Sequence, residues 1–177
     1  EAGVDRAVLV GHSMGFPVAR WLGLKRPGLV KAVVSVDGAV LRFPQAGPEL
    51  EKVRAKYAAF AASFRVDGQG EGCREQAAAF IDSLRGEKTP PALAGEIKAR
   101  MLATPCHVLA GAMEQFVDPA FWPQVPLDVP ALAVYAPSPH LESDFNQYLK
   151  SLLPRVEYQE WQGAGHFLML EEPARFN

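Results

Sequence analysis

The feature that most constrains the fold is a short apolar run that ends in a glycine-bounded turn and leads directly into a helical pattern. Residues Arg6 to Val10 read RAVLV, which is typical of a strand buried on both faces of a parallel sheet. The turn covers Gly11 to Gly15, and Phe16 to Lys25 then carries apolar side chains at helical spacing before Pro27. The pattern therefore predicts a strand, a turn and a helix in direct succession.

Three further apolar runs have the length and composition of strands. Val30 to Val36 is rich in β-branched valine, Pro130 to Ala136 is bounded by prolines, and Val156 to Trp161 alternates in polarity. Phe145 to Leu153 has the helical spacing of a crossover between the last two strands. Strands that alternate with helices predict an α/β fold, with a mostly parallel sheet flanked by helices.

The long segment between Asp37 and Pro130 lacks a strong strand signal. Unstructured segments of this length are uncommon within a compact domain, so we expect this one to carry its own secondary structure. Three stretches have amphipathic helical spacing: Glu49 to Phe64, Arg74 to Leu84 and Ala92 to Leu102. We therefore predict a helical lid inserted into the sheet domain. The expected organisation is core over 1–41, lid or cap over 42–125 and core over 126–177.

The turn after the first strand reads Gly11-His12-Ser13-Met14-Gly15 and matches the G-x-S-x-G pattern. A strand before it and a helix after it make the pattern specific for a nucleophilic serine, here Ser13. Gly11 and Gly15 are expected because a strained turn leaves little room for neighbouring Cβ atoms. The helix directs its positive end at the site, so the Met14 N–H is a candidate oxyanion donor. We expect His12 to be packed or hydrogen-bonded rather than to act as the base.

A second candidate for chemistry lies near the end of the chain. Gln162 to Phe167 reads QGAGHF, which places His166 in a glycine-bordered loop directly after a predicted strand. A loop histidine at the carboxyl edge of a parallel sheet can reach a serine at the end of another strand. His166 is therefore the candidate general base for Ser13.

Together these residues resemble the α/β-hydrolase family. The shared motifs are GHSMG at 11–15, the GxGHF loop at 163–167 and a helix start at 172–177, in the order serine then histidine. The resemblance covers nearly the whole chain and implies a hydrolase with Ser13 as nucleophile, His166 as base, an acyl-enzyme intermediate and no cofactor. Members of this family have several strands and a second oxyanion donor before the elbow. We therefore expect the amino-terminal part of the same fold to be missing from this chain, either because the chain is a fragment or because a partner chain completes the sheet.

The acid of the triad is not at its usual place in the family. The turn after the Pro130 to Ala136 strand has no aspartate there, and its displaced carboxylates, Glu142 and Asp144, also suit the start of a helix. Asp37 ends an earlier strand, and some lipases and dehalogenases of this fold place their acid at that strand end. A carboxylate there can hold His166 through its Nδ1–H. We predict Asp37 as the acid, with Glu142 as the alternative.

Composition excludes several other classes of protein. The 177 residues are 49% hydrophobic and 21% charged, as in a soluble globular domain. A formal net charge of −2 and the lack of a cationic stripe argue against nucleic acid, and no run is long enough for a membrane span. Cys73 and Cys106 lack the spacing of zinc or redox motifs, so we expect two buried thiols and no metal. Without a signal-peptide pattern near Glu1, we expect a cytoplasmic protein.

The expected reaction is cleavage of a carboxylic ester or related acyl bond in a small molecule. Aromatic side chains in the predicted lid favour a largely apolar substrate: Phe60, Phe64, Phe80, Phe116, Phe121 and Trp122. His140 is either a pocket-lining residue or an ordinary loop histidine. The same triad would also serve a carbon–carbon hydrolase, an acyltransferase or a cofactor-free haloperoxidase. A ligand-binding relative that keeps the fold without catalysis is the alternative from another class.

Overall fold

The structure is a computed structural model, and it describes residues 3–42, 44, 46–65, 71–116, 118–138 and 141–177. Strands and helices alternate along the first and last parts of the chain, and helices alone fill its middle. In chain order they are β1 (Ala7–His12), α1 (Gly15–Lys25), β2 (Val30–Val36), α2 (Pro48–Ser63), α3 (Glu71–Ser83), α4 (Pro91–Leu102), α5 (Cys106–Gln115), a short 3₁₀ helix (Pro119–Phe121), β3 (Ala131–Tyr135), α6 (Phe145–Leu152), β4 (Val156–Glu160), α7 (Leu168–Glu171) and α8 (Pro173–Phe176).

The four strands form one parallel sheet in the order β1-β2-β3-β4. This confirms the predicted α/β class with a parallel sheet flanked by helices. Because the strands are parallel, their carboxyl ends meet at one edge of the sheet. Ser13 follows β1, Asp37 follows β2 and His166 lies in the loop after β4, so the topology brings all three to that edge.

The core follows from the alternation of side chains along the strands. Odd-numbered positions of β2 and β3, such as Val33 and Ala133, pack in one cluster with Phe16 and Leu149. Even-numbered positions of the same strands pack in a second cluster with Trp161 and Leu168. Both faces of the central strands are therefore covered, as the continuous apolar runs in the sequence predict.

The chain divides into two compact units. One contains the sheet and consists of Glu1–Leu41, Gly86–Lys88 and Pro123–Asn177. The other consists of Arg42–Arg85 and Thr89–Trp122 and contains α2 to α5. Three of its helices lie where the sequence predicts them, whereas α5 was not predicted. The role of this unit as a lid stays a prediction.

A disulfide joins Cys73 in α3 to Cys106 in α5, with 6.2 Å between the two Cα atoms. The expectation of two free buried thiols was therefore wrong. The cysteines are 33 residues apart, and the packing of α3 and α5 in one hydrophobic cluster with Phe64, Ala77 and Ala110 brings them within bonding distance. In the part of the chain that the structure describes, no helix is both long and apolar enough to cross a membrane.

Candidate active site

Ser13 sits on a strained turn between β1 and α1. Its φ of 51° lies in the left-handed region, which costs a non-glycine residue on the order of 1–3 kcal/mol. The backbone of the turn is held on both sides. The Ser13 N–H donates to the Val36 carbonyl at 3.1 Å, and the Ser13 carbonyl accepts from the N–H groups of Phe16 and Ala39 at 3.1 and 3.0 Å. These bonds join the turn to β2, to the loop after β2 and to the first turn of α1, and they stabilise the strained conformation.

The two glycines of the turn have different steric surroundings. A Cβ atom at Gly11 would collide with the backbone of Phe16, so no other residue fits there without a shift. Gly15 is exposed at the start of α1, and a Cβ added to it would meet no described atom within 4 Å. The steric requirement expected for both positions therefore holds for Gly11 alone. Met14, the candidate oxyanion donor, is the N-cap residue of α1.

Asp37 and His166 form a hydrogen-bonded pair at the same sheet edge. Asp37 Oδ2 lies 2.5 Å from His166 Nδ1, and Asp37 Oδ1 accepts the Ala136 N–H at 3.0 Å. The two side chains are 18% and 16% exposed, so solvent reaches them only in part. With Nδ1–H donating to the carboxylate, Nε2 is the imidazole nitrogen that can accept a proton. This is the arrangement that a general base requires.

The turn that carries Asp37 is itself strained and is held by hydrogen bonds to the neighbouring strand β3. Asp37 has a φ of 42°, and its N–H donates to the Val134 carbonyl at 2.7 Å. The Tyr135 hydroxyl donates to the Gly38 carbonyl at 2.9 Å and lies 2.9 Å from Ser35 Oγ. Since the Tyr135 proton points to Gly38, the Ser35 hydroxyl donates to Tyr135. Both side chains are buried, and burial raises the pKa of Tyr135, which therefore stays a donor.

Sequence reasoning missed this Ser35–Tyr135 support. The available signal was Ser35 itself, a serine inside a valine-rich strand that we expected to be buried. A buried hydroxyl needs a hydrogen-bond partner, so its presence indicates a polar contact with a neighbouring strand. Without the register of β2 and β3, the partner cannot be named.

The predicted site residues do not all meet. His12 donates from Nε2 to the His166 carbonyl at 2.8 Å, and the two rings lie 4.6 Å apart, so the base loop lies against the residue beside Ser13. Among the described contacts, no hydrogen bond joins Ser13 Oγ to the His166 ring, and none joins Glu142 to it. Glu142 instead borders a cavity of about 640 Å³. Asp144 is the N-cap residue of α6.

His140 lies outside the described residues. Within them, no group of three or more histidine, cysteine or acidic side chains is arranged to hold a metal ion.

A family model described as the alpha/beta hydrolase family matches residues 1–177. The chain belongs to the alpha/beta hydrolase family. The family match agrees with the parallel sheet flanked by helices. Among curated protein sequences, none matches this chain at a significant level.

Several solved structures share the fold. Est816, described as an N-acyl homoserine lactone degrading enzyme, is 22% identical, with a TM-score of 0.70 over 98% of this chain and 66% of its own. A hydrolase from Pseudomonas aeruginosa PA01 is 21% identical, with a TM-score of 0.72 over 98% of this chain and 62% of its own. A thermophilic esterase from Thermogutta terrifontis is 20% identical, with a TM-score of 0.70 over 97% of this chain and 62% of its own. The chain thus spans roughly two thirds of the length of these structures.

Proposed function

We propose that the protein is a serine hydrolase that cleaves a carboxylic ester or related acyl bond of a small, largely apolar substrate. The observation that carries the proposal is the hydrogen bond between Asp37 and His166 at the sheet edge where Ser13 occupies a left-handed turn. A serine held in strain, a histidine with one free ring nitrogen and a carboxylate behind that histidine are the three parts of a nucleophilic triad.

The reaction follows from these roles. Ser13 Oγ attacks the carbonyl carbon while His166 Nε2 takes its proton, and the carboxylate of Asp37 stabilises the imidazolium that forms. The Met14 N–H donates to the oxyanion at the start of α1, where the helix dipole also favours negative charge. His166 then returns the proton to the leaving alcohol. In the second half of the reaction His166 activates water, which hydrolyses the acyl-enzyme and frees Ser13.

The apolar substrate class is proposed from the aromatic composition of residues 42–125 alone, because in the structure these side chains pack against one another. Phe60 packs edge-on against Phe64 and Phe80, and Trp122 lies against Phe116 and Phe121. Esters with short and medium acyl chains are therefore the first substrates to test. Lactones, which are internal esters, belong in the same panel because one similar structure is described as a lactone-degrading enzyme.

The test uses the intact protein, a fluorophosphonate probe and a panel of nitrophenyl esters of increasing acyl length. We expect labelling at Ser13 and ester turnover, both lost in Ser13→Ala. Ser151→Ala is the matched control, because the Ser151 hydroxyl is exposed and donates only to the Tyr148 carbonyl of its own helix. Labelling that persists at another serine in Ser13→Ala, or turnover equal to that of Ser151→Ala, contradicts the proposal.

Three further assays separate the proposed ester hydrolase from alternative functions. Labelling with no ester turnover, together with cleavage of a carbon–carbon bond next to a ketone, would identify a carbon–carbon hydrolase. Transfer of the acyl group to an added alcohol in preference to water would identify an acyltransferase. Reversible ligand binding with neither labelling nor turnover would identify a non-catalytic relative.

The disulfide bears on the compartment. Disulfides persist in oxidising environments and are rare in the cytosol of mesophiles, so Cys73–Cys106 favours an oxidising compartment over the cytoplasmic one expected from the sequence. Alkylation of the protein isolated from its natural source, after denaturation without a reductant, tests this. We expect both cysteines to resist modification, and alkylation of both would favour the cytoplasm.

A further inference from the structure

His12 links the nucleophile turn to the loop that carries the base. It is the last residue of β1 and directly precedes Ser13, and its Nε2 lies 2.8 Å from the backbone carbonyl of His166, 154 residues further along the chain. The two imidazole rings are 4.6 Å apart, and the Phe167 ring lies 5.6 Å from that of His12. A carbonyl can only accept a hydrogen bond, so Nε2 of His12 carries the proton.

We propose that His12 is a positioning residue for the general base, acting as a neutral imidazole that holds the His166 main chain against the nucleophile turn. This rests on the proposed function of Ser13 and His166.

The contacts of His166 divide into two kinds with different effects. The bond from Nδ1 to Asp37 sets which ring nitrogen is free and how the ring is rotated. The bond from its carbonyl to His12 sets where the main chain of the loop lies relative to β1. The loop contains Gly163 at a φ of 84° and Gly165, both permissive backbone positions, and the Gly165 N–H donates to the Glu171 carboxylate. The bond from His12 adds a restraint at His166 itself. A shift of about 1 Å in the base can cost about 10² in rate.

The charge state of His12 matters because His166 becomes positively charged during the proposed reaction. Burial lowers the pKa of His12, as does the nearby ring of His166, while the hydrogen bond to the His166 carbonyl and the charge of Asp37 act in the opposite direction. The charged groups that act on the ring are thus His166, from the loop after β4, and Asp37, from the end of β2. His12 is neutral above its lowered pKa. Below it, a second positive ring would lie 4.6 Å from the imidazolium that His166 forms during turnover.

The kinetic test compares two amides of different length. Glutamine places its Nε2 close to the position of the histidine Nε2, so His12→Gln is expected to retain the bond to the His166 carbonyl and to recover most of kcat. Asparagine is too short, so His12→Asn is expected to lower kcat by about 10² with little change in KM. His107→Asn is the matched control, because His107 is exposed on α5. Equal losses in folded His12→Gln and His12→Asn, or no loss in either, overturn the proposal.

The pH profile separates positioning from a purely structural role. In the wild-type protein the acid limb of the kcat/KM profile is expected to fall more steeply than in His12→Gln, because protonation of His12 places a second positive ring beside the base. His12→Gln has no ionisable side chain at this position, so its acid limb is expected to be shallower. A slope that is the same in both proteins contradicts the proposed neutral state of His12.

An NMR measurement that needs no turnover tests the positioning role of His12 separately from the proposed hydrolase function. Proton NMR of the Ser13→Ala protein follows the downfield Nδ1–H resonance of His166 in its bond to Asp37, and histidine ring signals report the titration of His12. We expect the resonance to persist in His12→Gln and to broaden or disappear in His12→Asn, with His12 titrating below the ordinary histidine value. An unchanged resonance in His12→Asn refutes the positioning role, whereas an inactive wild-type protein with the expected spectra refutes only the hydrolase function.

Discussion

Replacing Asp37 by asparagine tests the assignment of the acid, and the structure fixes how the new side chain would lie. In the wild-type protein one carboxylate oxygen accepts the Ala136 N–H at 3.0 Å and the other faces His166 Nδ1 at 2.5 Å. An amide side chain has a single oxygen acceptor, and this oxygen would accept the hydrogen bond from the Ala136 N–H. The asparagine side chain of the Asp37→Asn variant would therefore direct its NH₂ group at His166 Nδ1, which must then accept.

The consequence is the wrong tautomer of the base. If Nδ1 accepts from the amide, the proton of the neutral imidazole moves to Nε2, and the nitrogen that should take the Ser13 proton is already occupied. In a serine protease the corresponding change lowers kcat by about 10⁴, which corresponds to roughly 5.5 kcal/mol of transition-state stabilisation. We expect a loss of the same order for Asp37→Asn, with KM nearly unchanged, because the Asp37 carboxylate faces His166 Nδ1 and not the ring nitrogen that serves Ser13.

The assay measures steady-state ester hydrolysis by the intact protein with Asp37→Asn, with Glu142→Gln as the matched carboxylate-to-amide control. Glu142→Gln is expected to be nearly silent, because none of the described contacts connects Glu142 to His166. A crystal structure of Asp37→Asn would verify the orientation of the amide. The reasoning is refuted if Asp37→Asn retains more than about a tenth of the wild-type kcat while Glu142→Gln loses orders of magnitude.

Three further changes probe the supports of the fold and the site. Cys73→Ser opens a disulfide whose cysteines are 33 residues apart, for which the chain-entropy model gives a loss of about 4 kcal/mol in the free energy of unfolding. Urea denaturation measures this loss against the oxidised wild-type protein, and the reduced wild-type protein is expected to match the variant. Tyr135→Phe removes the donor to Gly38, so we expect a loss of about 1–3 kcal/mol in the same assay and a fall in kcat through displacement of the Asp37 turn; an unchanged kcat would show that the turn holds its shape without it. Val10 is 63% exposed on the edge strand β1, so Val10→Lys is expected to reduce aggregation of residues 1–177 in light scattering, whereas equal scattering would exclude this edge as its cause.

The sequence predicts those parts of the site whose structure depends on near neighbours. An apolar run, Gly11 and the helical spacing after Gly15 are enough to predict the turn of Ser13, because the strain and its steric limits arise within a few residues. The loop of His166 follows in the same way from its glycines and the preceding strand. The parallel sheet follows from short apolar runs that alternate with helices. Burial on both faces holds for the central strands but not for β1, where Val8 and Val10 are exposed.

Contacts between distant parts of the chain depended on the tertiary structure. Asp37 and His166 are 129 residues apart, and the sequence offered Asp37 and Glu142 as competing acids; strand register and the strained turn at Asp37 bring one carboxylate to the imidazole. The pairing of Cys73 with Cys106 likewise depended on how two helices pack. Local sterics can be read from a few adjacent residues, whereas a pairing across a long loop is selected by the packing of the whole core, which single-sequence patterns do not specify.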